Sequence, residues 1–298
     1  MGVGRTGAPA GRPRGRHFST IYGVDFSGAR LAGRTTWVAR TQLRGRGRAR
    51  RLHLVELASL EQLAGSAERA PALAHLVRAI AASRDALWAI GAPFGLPVEV
   101  LDSDMSWAGL LRFVRGWERD GYDLGLWALA RARALGGPQH IYRATDRAAR
   151  APFDAYHYRI IYPTYHGLRD VLYPLSRVRE TAVMPFHYRR LPTARRVLVE
   201  TCQASTLKRL GLPRQNYKQP EGGPLAPLRR RTRRAILAGL APHVQIEERE
   251  RRTIARDAGG DALDAVIAAV GARASWLTTD HAAVARDARY RREGFLYV

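Results

Sequence analysis

Three apolar stretches rich in β-branched residues stand at hairpin spacing near the start of the chain. They are STIYGVDFSG from Ser19, TTWVARTQL from Thr35 and RLHLVEL from Arg51, the last two separated by the basic, turn-like RGRGRAR. Short runs of this kind bounded by turn residues read as strands, and consecutive strands usually pair as neighbours, so an antiparallel meander is expected. The rhythm then changes. Ser59 and Gln62 form an S-x-x-Q capping box, and Leu73, Leu76, Val77 and Ile80 recur at helical spacing. DALWAIG, from Asp85, reads as a buried strand that APFGLP ends in an enforced turn. RRVLVET, from Arg195, is a further strand, QASTLKRLG a helix, DALDAVIAAVGA a strongly patterned helix and GFLYV a last short strand. A meander followed by alternating helices and strands specifies a mixed sheet with helices on its faces, the α/β class.

Residues 98 to 194 depart from this alternation. Helix-like stretches around 106 to 118 and 123 to 134 carry Trp107, Trp117 and Trp127, and the aromatic, histidine-rich run FDAYHYRIIYPTYHGLRDVLYPL follows. We read 98 to 194 as an insertion on one side of the sheet, inside a single domain spanning 18 to 298. Residues 1 to 17 are rich in Arg, Gly, Pro and Ala with no acid, a composition expected to form a disordered basic tail. The mean hydropathy is −0.29 and no apolar run approaches the length of a membrane span. The N-terminus lacks the apolar core of a signal peptide. The single cysteine, Cys202, excludes an intramolecular disulfide and a multi-cysteine zinc site. These features point to a cytoplasmic protein.

The formal net charge is +23, which favours polyanions and nucleic acid first among them. Of the 49 basic residues, all but Lys208 and Lys218 are arginine, a usage that a GC-rich genome would also produce. The segment LRRRTRRAIL, with Arg229, Arg230, Arg231, Arg233 and Arg234, opens a helix and is the densest basic run.

Carboxylates supply the candidate chemistry. Asp25 closes the first strand, where a rigid backbone meets a loop; the alternative is an aspartate hydrogen-bonding to its own turn. Asp257, Asp261 and Asp264 are spaced i, i+4, i+7, so one continuous helix would set all three on one face. Their mutual repulsion would be relieved by a hard divalent cation, or their presence explained by a helix N-terminus. Glu200 ends a strand of buried residues and needs a partner, for which Lys218, Arg195 or a metal are candidates. His140, His157, His166 and His187 show no zinc-ligand spacing. Tyr156, Tyr158, Tyr162, Tyr165 and Tyr173 would stack on bases or form the insertion's own core.

GVDFSG, the strand before APFGLP, VETCQASTLKRLGL with NYK downstream, GDALDAVIAAV and the terminal EGFLYV together resemble, in order, the domain of unknown function 429 family. RATDRAARAPF is also similar to a segment of that family. The resemblance spans roughly 20 to 298 and implies an RNase H-like mixed sheet flanked by helices, in a family of predicted nucleases. Two departures stand out. Gly91 occupies the place of the family's aspartate before the P-x-G-L-P turn, and Cys202 with Gln203 replaces its Tyr-Pro. A glycine at 91 is expected to leave room for a side chain.

The resemblance implies a metal-dependent, nuclease-like protein acting on nucleic-acid phosphodiesters. Asp25, Asp261 and Asp264 would hold Mg²⁺ or Mn²⁺, with Glu200 as a further catalytic carboxylate. Lys218, Arg143, Arg229, Arg230 and Arg231 would hold the nucleic acid. The alternative is a degenerate member that binds nucleic acid or a protein partner without cleavage, and Gly91 favours it. Nucleotide binding of the kind seen in actin-like ATPases ranks last, for want of a phosphate-binding glycine loop. If Asp25 and Asp264 share an ion, their carboxylates should lie about 4 to 7 Å apart. Any nucleic-acid binding should weaken steeply with salt through counterion release. Replacing Arg229, Arg230 and Arg231 by Ala is expected to weaken it across all sequences and to flatten the slope of affinity against salt, measured by fluorescence anisotropy.

Overall fold

The structure is a computed structural model that describes residues 16–45 and 50–298. The tail expected over 1 to 17 lies outside the described residues except at its end. There Arg16 is docked: its guanidinium donates to the Ala194 carbonyl at 2.5 Å, and its own carbonyl accepts from Trp276 Nε1 at 2.7 Å.

Among the described residues seven strands form one mixed sheet: β1 (Thr20–Asp25), β2 (Trp37–Arg44), β3 (Arg51–Ser59), β4 (Ala86–Ile90), β5 (Thr181–Val183), β6 (Arg196–Glu200) and β7 (Val244–Gln245), in the spatial order β5-β6-β4-β1-β2-β3-β7. The expected meander is present, with β2 antiparallel to both β1 and β3. β4 lies parallel to β1 and β6 parallel to β4, so the carboxyl ends of β1, β4 and β6 reach one edge together. Helices cover both faces, as the α/β reading requires.

Side-chain alternation divides the core. Trp88 and Ile90 of β4 and Leu198 of β6 face one side, while Leu87, Ala89, Val197 and Val199 face the other. The first side is covered by the helix Arg69–Ala82, which buries Leu73, Leu76 and Ile80, and by the helices of the insertion. The second side is covered by the long helix Asp261–Thr278 and by Pro227–Leu240. Gly23 lets the long helix lie directly on β1. A Cβ there would stand 1.9 Å from the Ala265 carbonyl oxygen and 2.6 Å from the Ala269 nitrogen.

Three details differ from the sequence reading. β5 lies within the expected insertion yet joins the edge of the sheet, because its three residues continue the parallel pairing beside β6. The terminal GFLYV makes a single bridge, Leu296 with Glu200, and is no full strand. Asp257 stands outside the helix carrying Asp261 and Asp264. The helix Glu248–Arg256 ends before it, Gly260 turns the chain at φ 85°, and Asp257 accepts from the Ala262 amide at 2.8 Å.

The insertion is tied to the sheet edge by Trp107, which stacks on Phe186 at 3.9 Å and meets His187 edge-on at 5.4 Å. Burial, assisted by Arg190, lowers the His187 pKa from 6.5 to about 4. A histidine held neutral by the fold contributes stability above its unfolded pKa, and that contribution is lost as pH falls through the folded value. Between pH 6.5 and about 4 the protein should lose about 2 kcal/mol from this residue. His187→Gln should remove that share of the acid sensitivity, which urea melts across this range would measure.

Candidate acidic cleft

A cleft of about 370 Å³ opens where β1, β4 and β6 end, lined by Asp25, Gly91, Glu200, Gln203, Lys218 and Asp264 among others. Ligands in open α/β sheets bind at such carboxyl ends. Asp25 arrives as the last residue of β1, and Asp261 and Asp264 arrive on the first turn of the long helix that Gly23 admits.

These three carboxylates share one cation, the ammonium of Lys218. Nζ lies 2.5 Å from Asp264 Oδ2, 3.5 Å from Asp261 Oδ1 and 4.0 Å from Asp25 Oδ2. The facing oxygens of Asp25 and Asp264 are therefore no farther apart than the upper end of the distance expected for a shared ion. The second oxygens are also engaged: Tyr217 donates its hydroxyl to Asp264 Oδ1 at 2.8 Å, and Gln203 donates Nε2 to Asp25 Oδ1 at 3.0 Å.

Lys218 faces these acids directly, and the buried Arg233 guanidinium acts on Asp257, Asp261 and Asp264 from behind. Burial pushes the Asp25 carboxyl well above the ordinary carboxylate range; Lys218 opposes the shift, and Asp264, Asp261 and Asp257 add to it. Asp261 is raised for the same reasons. Burial works to lower the Lys218 pKa, but Asp264 and Asp25 outweigh it and hold the ammonium charged. The cleft thus gathers buried carboxyls whose charged forms are disfavoured unless a cation faces them.

Glu200 and Arg143 have a different place from the one expected. Arg143 is 1% exposed, and its guanidinium grips Glu200, Asp146 at 2.8 Å and the Glu293 carbonyl at 2.8 Å. The Phe94 amide completes the Glu200 shell at 3.0 Å. Arg143 therefore joins the insertion, β6 and the C-terminal segment, and none of its nitrogens is left to meet a phosphate. The partner Glu200 required is this arginine; Arg195 instead pairs with Glu180 at 2.7 Å. Burial raises the Glu200 pKa and Arg143 restrains the rise.

The other basic candidates lie on the helix Pro227–Leu240. Arg230 and Arg231 are exposed, while Arg229 pairs with Glu221 at 2.9 Å. Of the insertion's tyrosines, Tyr156 and Tyr165 are core, whereas Tyr158 and Tyr162 are exposed.

Gly91 does not leave open room. A Cβ there would stand 2.4 Å from Gln203 Nε2 and 3.1 Å from the Val24 carbonyl oxygen, so the Gln203 amide fills the space. Gly91 and Gln203, far apart in the chain, are therefore in contact. Sequence reasoning missed Gln203, Tyr217 and Arg233. The one available signal for Tyr217 was its place beside Lys218 in NYK.

Arg233 builds the site from beneath. It is 3% exposed and donates to the carbonyls of Tyr217 (2.6 Å), Ile254 (2.8 Å), Asp257 (2.6 Å) and Ala258 (2.7 Å), binding the Lys218 loop to the loop that starts the long helix.

No family model matches this chain, and neither a curated protein nor a solved structure matches it. Among the described residues no helix is long and apolar enough to cross a membrane.

Removing the Arg233 guanidinium takes a donor from four carbonyls; Asp257 and Ala258 keep the Gly260 and Gln219 amides, whereas Tyr217 and Ile254 lose theirs, at about 1 to 3 kcal/mol for a single buried polar group. Arg233→Met should lower stability in urea by about 3 kcal/mol or more, while Arg234→Ala on the exposed face should stay within about 0.5 kcal/mol of the wild type.

Proposed function

We propose that this chain is a nuclease-like protein of RNase H-like fold that acts on nucleic-acid phosphodiesters at the acidic cleft, with Mg²⁺ or Mn²⁺ as cofactor. The observation that carries the reading is the convergence of Asp25, Asp261 and Asp264 on one cation position at the carboxyl edge of the sheet. The strand order β3-β2-β1-β4-β6, with only β2 antiparallel, supports the fold assignment.

The donor chemistry fits a hard divalent ion: three carboxyl groups whose oxygens converge on one cation position. Among the described residues no three ligating side chains form a ready-made cage, because the ammonium stands between them. Asp25, Asp261 and Asp264 would hold the ion once Lys218, whose side chain is 39% exposed, turns toward solvent. The chemistry such an ion would supply there is Lewis-acid activation of water and stabilisation of a leaving oxygen. Gln203 fixes the Asp25 carboxylate and Tyr217 fixes Asp264, so neither needs to reorganise when substrate arrives. Lys218, once displaced, remains close enough to pair with a phosphate oxygen. Arg230 and Arg231 on the exposed helix would hold the backbone without reading sequence.

One observation favours a second reading, binding without cleavage. The Gln203 amide fills the space beside Gly91 where the family carries an aspartate, so a neutral donor stands in place of a ligand.

Mn²⁺ well above its dissociation constant should stabilise the wild type by about 2 to 3 kcal/mol in thermal melts. Lys218→Met should tighten Mn²⁺ and Asp261→Asn should abolish the shift. Metal-dependent cleavage of a labelled strand should likewise be lost in Asp261→Asn. Stabilisation without cleavage would favour the binding-only reading, and the absence of both from the wild type and Lys218→Met would rule out the metal site.

A further inference from the structure

A second cavity, of about 470 Å³, lies between the helix Arg69–Ala82 and the insertion, apart from the acidic cleft. Its walls bring together Arg69, Arg115 and Arg169, with His166, Asp170 and Tyr173. Asp170 is the one acid among these lining residues, and it is already engaged, 2.7 Å from His166 Nδ1. That contact orients the imidazole and leaves Nε2 without a hydrogen-bond partner among the described residues. The pair sits where the helix widens into a π-helical segment, Gly167–Leu172, a distortion that recurs at functional sites.

The arginines keep donors to spare. Arg115 is exposed, and among the described residues it makes no hydrogen bond or ion pair, only lying over the Tyr173 ring at 5.9 Å. Arg169 donates Nη1 to the Tyr165 hydroxyl, and its buried Nε lies 3.9 Å from Asp170 Oδ1, an ion-pair contact too long for a hydrogen bond. Arg69 uses one nitrogen on the Gly28 carbonyl at 2.9 Å.

From these features we propose that this cavity is a binding site for a phosphoryl group. Planar guanidinium forks match phosphate oxygens in pairs, which is the usual reason arginines converge. His166 Nε2 would add a further polar contact. The phosphoryl group belongs either to a free phosphorylated small molecule or to the 5′ end of a nucleic-acid strand. The proposal is independent of the acidic cleft and stands whether or not that cleft cleaves.

The test uses the full chain with inorganic phosphate as probe, in calorimetric titrations and thermal melts at matched ionic strength in chloride. Arg115→Ala, at a position with no hydrogen-bonded partner, is the main variant. Arg234→Ala removes the same charge elsewhere and controls for the basicity of the whole protein. Phosphate should bind and raise the melting temperature of the wild type and of Arg234→Ala, and Arg115→Ala should weaken it at least about tenfold. Arg169→Lys, which keeps the charge and loses the fork, should also weaken it. No phosphate shift beyond the chloride control, or equal effects of Arg115→Ala and Arg234→Ala, would overturn the site. A parallel arm compares one short strand with a 5′-phosphate and with a 5′-hydroxyl. Preference for the phosphorylated strand assigns the site to strand ends; equal binding of the two assigns it to small phosphorylated molecules.

Discussion

The contact between the Asp261–Thr278 helix and β1 governs both the core and the cleft of this protein. At Gly23 the helix backbone comes closer to the strand than any side chain permits. That approach drops the helix into the centre of its face of the sheet, where it buries every residue from Ala262 to Ala272. It also fixes where the helix begins, and so brings Asp264 beside the end of the strand that carries Asp25. A larger residue at 23 would lift the helix and move the two carboxylates apart. Core packing and site geometry are here one constraint.

The molecule also contains two charge clusters that look alike in sequence and differ in physics. Around Arg143 the charges are sealed: the arginine, Glu200 and Asp146 are almost fully buried, and each charge meets a partner. Such a cluster ties three distant segments together and forms one wall of the cleft with its charges already paired. Around Lys218 the charges are open to a cleft. Asp25 and Asp261 are held with raised pKa values because burial disfavours their charge. Burial raises the Glu200 carboxyl in the sealed cluster as well, so the difference lies in geometry: Glu200 is gripped by a buried guanidinium, whereas Asp25 and Asp261 face a half-exposed ammonium. Arg233 makes no ion pair with the cleft aspartates at salt-bridge distance, yet its charge acts on Asp257, Asp261 and Asp264 and it holds the loops that present Lys218 and the helix start. Its position inside the densest arginine run hides this role, because its neighbours Arg230, Arg231 and Arg234 are exposed or half-buried at the surface.

The cavity beneath the insertion obeys the same logic with the opposite sign. Three arginines face a single, already paired acid there, and one of their nitrogens is buried without a hydrogen bond. A protein with this net charge has little trouble attracting anions in general. What distinguishes the pocket is convergence, which composition does not produce.

Local pattern by itself determined the meander, the capping box at Ser59, the buried strands at 86–90 and 196–200 and the long helix from Asp261, because periodicity and turn residues act over a few positions. It also marked Asp25, Asp261 and Asp264 as residues worth joining. It overextended the helix back to Asp257, where the left-handed turn at Gly260 interrupts it, and it passed over β5 and β7, which are too short to carry a period. Only the tertiary structure decided which charge meets which. Arg143 lies 57 residues from Glu200 and Gln203 lies 178 from Asp25, and side chains so far apart in the chain are paired by the packing of whole elements. The same holds for Gly91, where the space beside the backbone is filled by an amide from beyond another strand's end. Partner choice among buried charges depends on three-dimensional distance and desolvation, and neither is written in the local order of residues.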